Sequence, residues 1–138
     1  MTLVDSNVII DVLKKDPIWF GWSSVALAEA GIEGAQVNAV VVAELSRDYA
    51  DYGELSAELQ SLGIGSVALD ETSAFIGSKR FQDFRQSRHQ DDKARVLPDF
   101  LIGAHALTLG VPLLTRDARL YRRYFPDLAL ITPEINHG

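Results

Sequence analysis

The sequence contains no cysteine among its 138 residues. Disulfide bonds, thiolate nucleophiles and cysteine-based zinc sites are therefore excluded. Long apolar runs are also missing, since no stretch approaches the ~18 uninterrupted apolar residues that a membrane span needs. The N-terminus does not join a basic segment to an apolar one, as a secretory signal would. These absences favour a cytoplasmic protein that does not associate with a membrane.

The composition is that of an ordinary soluble globular protein, with 47% apolar and 23% charged residues. A chain of 138 residues suits one domain. A domain of this size buries roughly two thirds of the surface that its unfolded chain exposes. We therefore predict a single domain over residues 1–138, with a core that needs no covalent cross-links.

Positive charge is scarce overall and concentrated in two segments. The formal net charge of −6 argues against a broad affinity for nucleic acid, which usually shows as a basic surface. Segment 79–95 nevertheless carries six Lys or Arg against three Asp, and segment 116–123 carries four Arg against one Asp. Local positive patches therefore coexist with an acidic total, and this combination is informative if the acids are gathered in one place.

Short β-prone stretches alternate with longer helical patterns, which is typical of βαβ units around a parallel sheet. We predict strands at 2–5, 35–38, 66–70, 111–115 and 128–132. We predict helices at 7–15, 20–31, 39–52, 54–62, from 71 into the basic segment, at 99–110 with Pro98 in the first turn, and at 118–125. On the first helix the apolar side chains cover one broad arc, so Asp11 is expected to be solvated and to pair with Lys15.

Four acidic residues fall near the carboxyl ends of predicted strands, where open parallel sheets bind their ligands. Asp5, Asp99 and Asp117 lie at such an end or at the start of the adjacent helix, and Glu44 lies in the helix after the second strand. Each acid alone has an ordinary explanation, as a helix cap, a partner of the helix dipole or a solvated side chain. Asp99, however, opens a helix that is apolar on nearly all sides, so it would be held away from water unless something neutralised it.

A cluster of these four acids would require shifted pKa values or bound cations. Two carboxylates ~4 Å apart repel each other by about 1 kcal/mol in water and about 4 kcal/mol at an effective dielectric of 20. A ligand set made only of oxygen atoms selects hard ions, so Mg²⁺ or Mn²⁺ is the natural occupant. The histidines do not compete for this role: His105 faces away from Asp99 on the same helix and is expected to be a packed or surface residue, while His89 and His137 show no ligand spacing.

Four blocks of sequence, in order along the chain, resemble the PIN-domain ribonucleases, and more narrowly the VapC-type toxins of bacterial toxin–antitoxin modules. The blocks are VDSNVIIDVL, NAVVVAELS, LPDFLIGAHAL and LLTRDARLYRRYFPDLALITP. The resemblance spans essentially the whole chain. It implies a PIN-like three-layer α/β/α sandwich with a central parallel sheet of four to five strands.

The resemblance also implies which residues act. The acids that are catalytic and bind the metal in the family match Asp5, Glu44, Asp99 and Asp117. The residues expected to orient these acids are Ser6, Asn7 and Thr115. The implied activity is endonucleolytic hydrolysis of RNA phosphodiester bonds with Mg²⁺ or Mn²⁺, by a toxin that a cognate antitoxin protein inhibits. A homodimer is also expected.

The basic segments lead to a separate hypothesis about the substrate. Their Lys and Arg side chains are candidates for contacts with RNA phosphates, although a solvated helix face would show the same pattern. The candidate contact residues are Lys79, Arg80, Arg85, Arg88, Arg116 and Arg119.

Three other functions remain as alternatives. A catalytically inactive PIN-fold binding module would keep the fold without cleavage, but all four acids are present. A receiver-like signalling domain could use Asp70 as its phosphoacceptor, but Ser6 interrupts the acidic pair it needs, and no lysine follows residue 95. A phosphatase of the haloacid-dehalogenase type needs an acid two residues after the first one, where this chain has Asn7.

Overall fold

Strands and helices alternate along the chain in the computed structural model, which describes residues 1–87 and 96–133. The strands are β1 Thr2–Val4, β2 Ala35–Val37, β3 Ile64–Ser66, β4 Leu113–Leu114 and β5 Leu130–Ile131. The helices are α1 Ser6–Leu13, α2 Phe20–Glu33, α3 Ala39–Leu45, α4 Tyr52–Ser61, α5 Glu71–Ser87, α6 Leu97–Leu109 and α7 Arg119–Tyr124. A short 3-10 turn, Ser46–Asp48, follows α3.

The five strands form one parallel sheet in the order β3-β2-β1-β4-β5. β1 is central, and its residues Leu3 and Val4 pair with Leu113 and Leu114 of β4. All four side chains are fully buried, as expected for parallel strands that are covered on both faces. The sheet and the seven α-helices of the described residues confirm the predicted α/β sandwich with a central parallel sheet.

The topology explains where a ligand site can form. The chain first builds β2 and β3 on one side of β1 and then crosses to β4 on the other side. In open parallel sheets, the crevice beyond the carboxyl ends of the strands at such a switch point receives the ligand. Here that crevice lies between the ends of β1 and β4. None of the helices formed by the described residues is long and apolar enough to cross a membrane.

The third strand lies earlier in the chain than the predicted 66–70, so that prediction was wrong. Gly63 adopts a φ of 74° at the end of α4, a left-handed conformation that glycine reaches without strain, and the strand begins directly after it. Ile64 is buried and pairs with Ala35 of β2. The register of the sheet therefore selects residues 64–66 over the more β-prone stretch that follows.

The helix predicted over residues 39–52 is also shorter than expected. Asn38 caps its start, since Asn38 Oδ1 accepts a hydrogen bond from the Val41 N–H at 3.0 Å. At the other end, Ser46 Oγ donates to the Ala43 carbonyl at 2.7 Å. Such a side-chain bond competes with the helical backbone pattern. The chain therefore continues as the 3-10 turn and is extended at Tyr49.

The prediction that Asp11 of α1 is solvated and pairs with Lys15 was wrong. Its side chain is fully buried, and its ion-pair partner is Arg116. Arg116 donates from Nε to Asp11 Oδ2 at 2.8 Å and from Nη2 to Asp11 Oδ1 at 3.1 Å. Ser23 Oγ of α2 donates to Asp11 Oδ2 at 2.7 Å. The prediction placed only the apolar arc of α1 in the interior, whereas Arg116 and Ser23 of α2 also cover the face that carries Asp11.

Aromatic packing holds α6 against α5 and α7. The ring centroid of Phe100 lies 5.4 Å from that of Phe84 in α5 and 5.5 Å from that of Tyr124 in α7. Pairs at such distances contribute about 0.5–1.5 kcal/mol each beyond their buried area. Gly77 of α5 allows the two long helices to approach closely, since a Cβ there would lie 2.8 Å from the Phe100 carbonyl oxygen. This packing fixes the first turn of α6, which carries Asp99.

Candidate active site

Asp5 is held where the central strand ends. Its backbone N–H donates to the Leu114 carbonyl at 2.9 Å, and its Oδ1 accepts a hydrogen bond from the Ser6 N–H at 2.8 Å, which caps α1. Its other oxygen, Oδ2, accepts from the hydroxyls of Thr115 at 2.9 Å and Tyr121 at 3.1 Å. Only 4% of Asp5 is exposed. Burial raises the pKa of this carboxyl above its ordinary value, and the three hydrogen bonds oppose that rise.

The buried hydroxyl of Thr115 joins the end of β1 to the loop after β4. It donates to Asp5 Oδ2 and accepts from Asn7 Nδ2 and from the Asp117 N–H, each at 3.2 Å. Asn7 Oδ1 accepts from the Arg116 N–H at 3.2 Å. The Asn7 amide group therefore uses both of its ends to hold this loop against the start of α1, which brings Asn7 and Thr115 beside the acids.

Glu44 reaches the same region from α3. Ser6 Oγ donates to Glu44 Oε1 at 2.9 Å. Burial is the largest cause that raises the pKa of Glu44, and the charge of Asp5 adds to it. The start of α3 is held by Asn38, whose Nδ2 lies 2.9 Å from His105 Nδ1. His105 is fully buried, so it is the packed residue that the sequence allowed and lies outside the group of acids.

Asp99 lies near the other three acids. It lies in the first turn of α6 after Pro98 and is half-buried. Burial, followed by the charges of Asp5, Glu44 and Asp117, raises the pKa of Asp99 to about 7. Each of the other three acids therefore lies close enough to Asp99 to disfavour its charge.

Asp117 lies at the open side of the site and is exposed to solvent. A groove of about 530 Å³ runs past Asp99 and Asp117, and Arg119, Arg123 and Tyr124 also line it. Negative and positive side chains therefore face one another across the entrance. A polyanion that entered this groove would meet the two arginines before it reached the buried acids.

Tyr121 belongs to the site although no inference from the sequence included it. Its side chain is 1% exposed, and its hydroxyl donates to Asp5 Oδ2. The same hydroxyl also lowers the pKa of Asp99, which places it between these two acids. No local pattern marks Tyr121, because its partner Asp5 lies 116 residues away along the chain.

The candidate RNA-contact residues differ in how they are engaged. Arg116 makes the bidentate pair with Asp11, and Arg80 makes a bidentate pair with Asp127 at 2.9 and 3.0 Å. Lys79, Arg85 and Arg119 are exposed, and within residues 1–87 and 96–133 none of them forms a salt bridge. Arg88 lies outside the described residues.

The donor set fits a hard divalent cation in its chemistry, because it consists of carboxylates only. In the part of the chain that the structure describes, however, no three His, Cys, Asp or Glu side chains stand close enough to enclose a metal ion. Donors already occupy oxygens of Asp5 and Glu44, and the acids repel one another. A bound cation would remove the repulsion that raises the pKa of Asp99.

Comparisons with known proteins agree with this architecture. The family model of the PIN domain matches residues 2–126. VapBC2 from Rickettsia felis, bound to a DNA fragment from its promoter, is similar with a TM-score of 0.69 and 16% identity over 96% of this chain and 98% of that chain. FitAcB from Neisseria gonorrhoeae is similar with a TM-score of 0.68 and 23% identity, over 99% of this chain and 100% of that chain. DNA-bound VapBC from Salmonella typhimurium is similar with a TM-score of 0.67 and 14% identity, over 95% of this chain and 96% of that chain. A search among curated proteins found no significant match. At these identities the structural likeness establishes the fold.

Proposed function

The chain belongs to the PIN-domain family, and on this basis we propose that it is a metal-dependent endoribonuclease and the toxin of a VapC-type toxin–antitoxin pair. The observation that carries the proposal is the arrangement of the acids at the strand ends: Thr115 hydrogen-bonds both to Asp5 and to the backbone of Asp117, and Ser6 hydrogen-bonds both to Asp5 and to Glu44. Burial and the charges of Asp5, Glu44 and Asp117 raise the pKa of Asp99 to about 7, which agrees with this arrangement. Four helix caps with unrelated roles would not interact in this way. We assign these four acids as the ligands of Mg²⁺ or Mn²⁺ and as the catalytic residues.

The proposed reaction is hydrolysis, in which water adds to phosphorus and one P–O ester bond of the RNA breaks. A divalent cation, when bound, supplies Lewis acidity toward the scissile phosphate and toward the attacking water. The chain contributes orientation: Thr115 and Ser6 donate hydrogen bonds to Asp5 and Glu44 and fix their carboxylates. Asp99 and Asp117 line the groove, so the substrate enters from that side.

Cleavage assays test this proposal. The purified protein should cut RNA with Mg²⁺ or Mn²⁺ and lose this activity in EDTA, and Asp99→Asn should abolish it. Glu29→Gln is the matched control, because Glu29 is an exposed acid of α2 on a surface that Thr2 and Pro112 also line, at the opposite ends of the strands. Cleavage that persisted in EDTA or in Asp99→Asn would refute the mechanism. A well-folded wild type that bound RNA and never cut it would favour an inactive binding module.

For contact with the substrate, we propose Arg119 as the first of the six basic candidates, since it lines the groove beside Asp99 and Asp117. Lys79, Arg80, Arg85, Arg88 and Arg116 remain further candidates, and the carboxylate partners of Arg80 and Arg116 compete with phosphate for them. Removing one phosphate contact to single-stranded RNA should reduce the salt slope of binding by about 0.7. Arg119→Gln should therefore lower this slope and Arg116→Gln should lower it less. Identical slopes for Arg119→Gln and the wild type would exclude that contact.

The toxin assignment rests on the similarity to toxin–antitoxin complexes, and the cognate antitoxin is the proposed protein partner. Expression of the chain alone should arrest bacterial growth, and co-expression of the antitoxin should restore it. Asp99→Asn, expressed at the same level, should not arrest growth. If soluble wild type that cleaves RNA in vitro did not affect growth, the proposed nuclease activity would be kept and the proposed role as a toxin would be rejected. A homodimer is also proposed, and the molar mass in solution would test it.

A further inference from the structure

We propose that Tyr121 sets the metal preference of the acidic site, because its hydroxyl occupies an Asp5 oxygen that a larger cation such as Ca²⁺ would need. The effect would be to favour Mg²⁺, which is smaller. This inference rests on the proposed function, since it takes Asp5 as a metal ligand.

The hydrogen bonds of Asp5 determine what its carboxylate can offer. A carboxylate has about four lone-pair positions, two on each oxygen. The Ser6 N–H uses one position on Oδ1, and the hydroxyls of Thr115 and Tyr121 use both positions on Oδ2. One position on Oδ1 remains, so Asp5 can present one oxygen to a cation and not two.

The Tyr121 hydroxyl lies between Asp5 and Asp99, and its hydrogen bond of 3.1 Å is to Asp5 Oδ2. The side chain is 1% exposed, and its ring packs against Phe125 with centroids 6.2 Å apart. The phenol therefore stays against Asp5 as a hydrogen-bond donor. A phenylalanine would fill the same space in the core without this donor, so packing alone does not require the hydroxyl.

Ion size connects this hydrogen bond to metal preference. Mg²⁺ demands a near-octahedral set of ligands and is usually bound through one or two carboxylates, with water completing its shell. Ca²⁺ takes six to eight oxygens and often uses both oxygens of a carboxylate. A carboxylate restricted to one oxygen therefore suits Mg²⁺, and freeing Oδ2 would favour Ca²⁺.

The test compares the affinities of Tyr121→Phe and wild type for Mg²⁺ and Ca²⁺ by titration calorimetry, without RNA. Tyr49→Phe is the matched control, because Tyr49 donates to Glu58 Oε2 at 2.6 Å and this phenol–carboxylate bond lies outside the site. The ratio of the Mg²⁺ dissociation constant to the Ca²⁺ dissociation constant should rise by about tenfold in Tyr121→Phe, the change expected for one hydrogen bond to a charged group. Tyr49→Phe should leave this ratio unchanged.

A second variant keeps the test decisive if Tyr121→Phe does not fold. Thr115→Val removes the other donor to Asp5 Oδ2 and should shift the ratio in the same direction. An unchanged ratio in the folded variants, with clear Mg²⁺ binding by the wild type, would overturn the role of Tyr121 and leave the proposed function intact. A wild type that bound neither ion would overturn both.

Discussion

At the scale of single residues, the site gathers four acidic side chains, of which Asp5 is buried and Glu44 and Asp99 are half-buried. Burial raises the pKa values of Asp5, Glu44 and Asp99, and charge repulsion adds to each shift. Arg116, which lies next to Asp117 in the sequence, is engaged by Asp11. Without a cation, the fold therefore becomes less stable as these acids ionise.

Asp99 predicts a specific dependence of stability on pH. Its pKa is about 7 in the folded protein, against an ordinary value of 3.8, so the folded state holds an extra proton between these pH values. Its contribution to the free energy of unfolding should therefore fall as the pH rises from about 4 to 7 and be lowest above that range. Other carboxyls act oppositely, because hydrogen bonds lower the pKa values of Asp16, Asp48, Asp70 and Asp127.

The difference between wild type and Asp99→Asn isolates this contribution, since the other groups are common to both proteins. In EDTA, the stability of Asp99→Asn relative to wild type should increase between pH 5 and pH 7.5. Urea unfolding at both pH values measures it, with Glu29→Gln as the control. A difference that stayed constant with pH would show that Asp99 ionises in the folded protein as easily as in the unfolded chain.

The buried pair of Asp11 and Arg116 gives a second prediction about single residues. Arg116→Met should destabilise the protein by about 3–5 kcal/mol, because it leaves the Asp11 carboxylate buried without its cation. Asp11→Asn should cost less, because the Arg116 side chain is 29% exposed and can reach water. Denaturant unfolding of both variants checks the order. A reversed order would mean that Asp11 is not the more desolvated partner.

At the scale of helices and strands, the contact between α5 and α6 determines where Asp99 lies. Gly77→Ala should destabilise the protein by roughly 1–3 kcal/mol, because the new methyl group would lie 2.8 Å from the Phe100 carbonyl oxygen, and the helices would have to move apart. Gly21→Ala is the matched control within α2, where an added Cβ meets nothing within 4 Å. That control should be neutral or more stable by up to about 1 kcal/mol. Thermal melting of the two variants compares them, and equal effects would mean that α5 and α6 tolerate the added volume.

The sequence allowed the parallel sheet to be predicted because strand and helix patterns alternate along it. It also allowed Asp5 and Asp117 to be placed near each other, since parallel strands end at one edge of a sheet. Asp11 was misassigned because a helical wheel does not show which loop covers each face. Tyr121 was missed because its partner, Asp5, is 116 residues away along the chain. Contacts of this kind depend on the strand order, which local patterns do not encode.

At the scale of the whole molecule, the net charge of −6 is unfavourable for a protein that binds RNA. Part of this charge is concentrated in the site, where the proposed cations would offset it. Two divalent ions would change the total from −6 to −2 (−6 + 4). Metal binding should therefore aid both the stability of the fold and the approach of the substrate.

Thermal melting with and without metal tests the central claim most directly. The claim is that Asp5, Glu44, Asp99 and Asp117 form one metal site. The stability of wild type should increase as RT ln(1 + [M]/Kd), about 2.7 kcal/mol at a hundredfold excess of Mn²⁺ over Kd. For a domain of this size, that increase corresponds to a rise in Tm of roughly 5–10 °C. Asp99→Asn should lose most of that rise and, in EDTA at neutral pH, should melt at the same temperature as wild type or higher. A wild type indifferent to Mn²⁺, together with an Asp99→Asn variant less stable than wild type in EDTA, would contradict the account and leave Asp99 as a partner of the helix dipole alone.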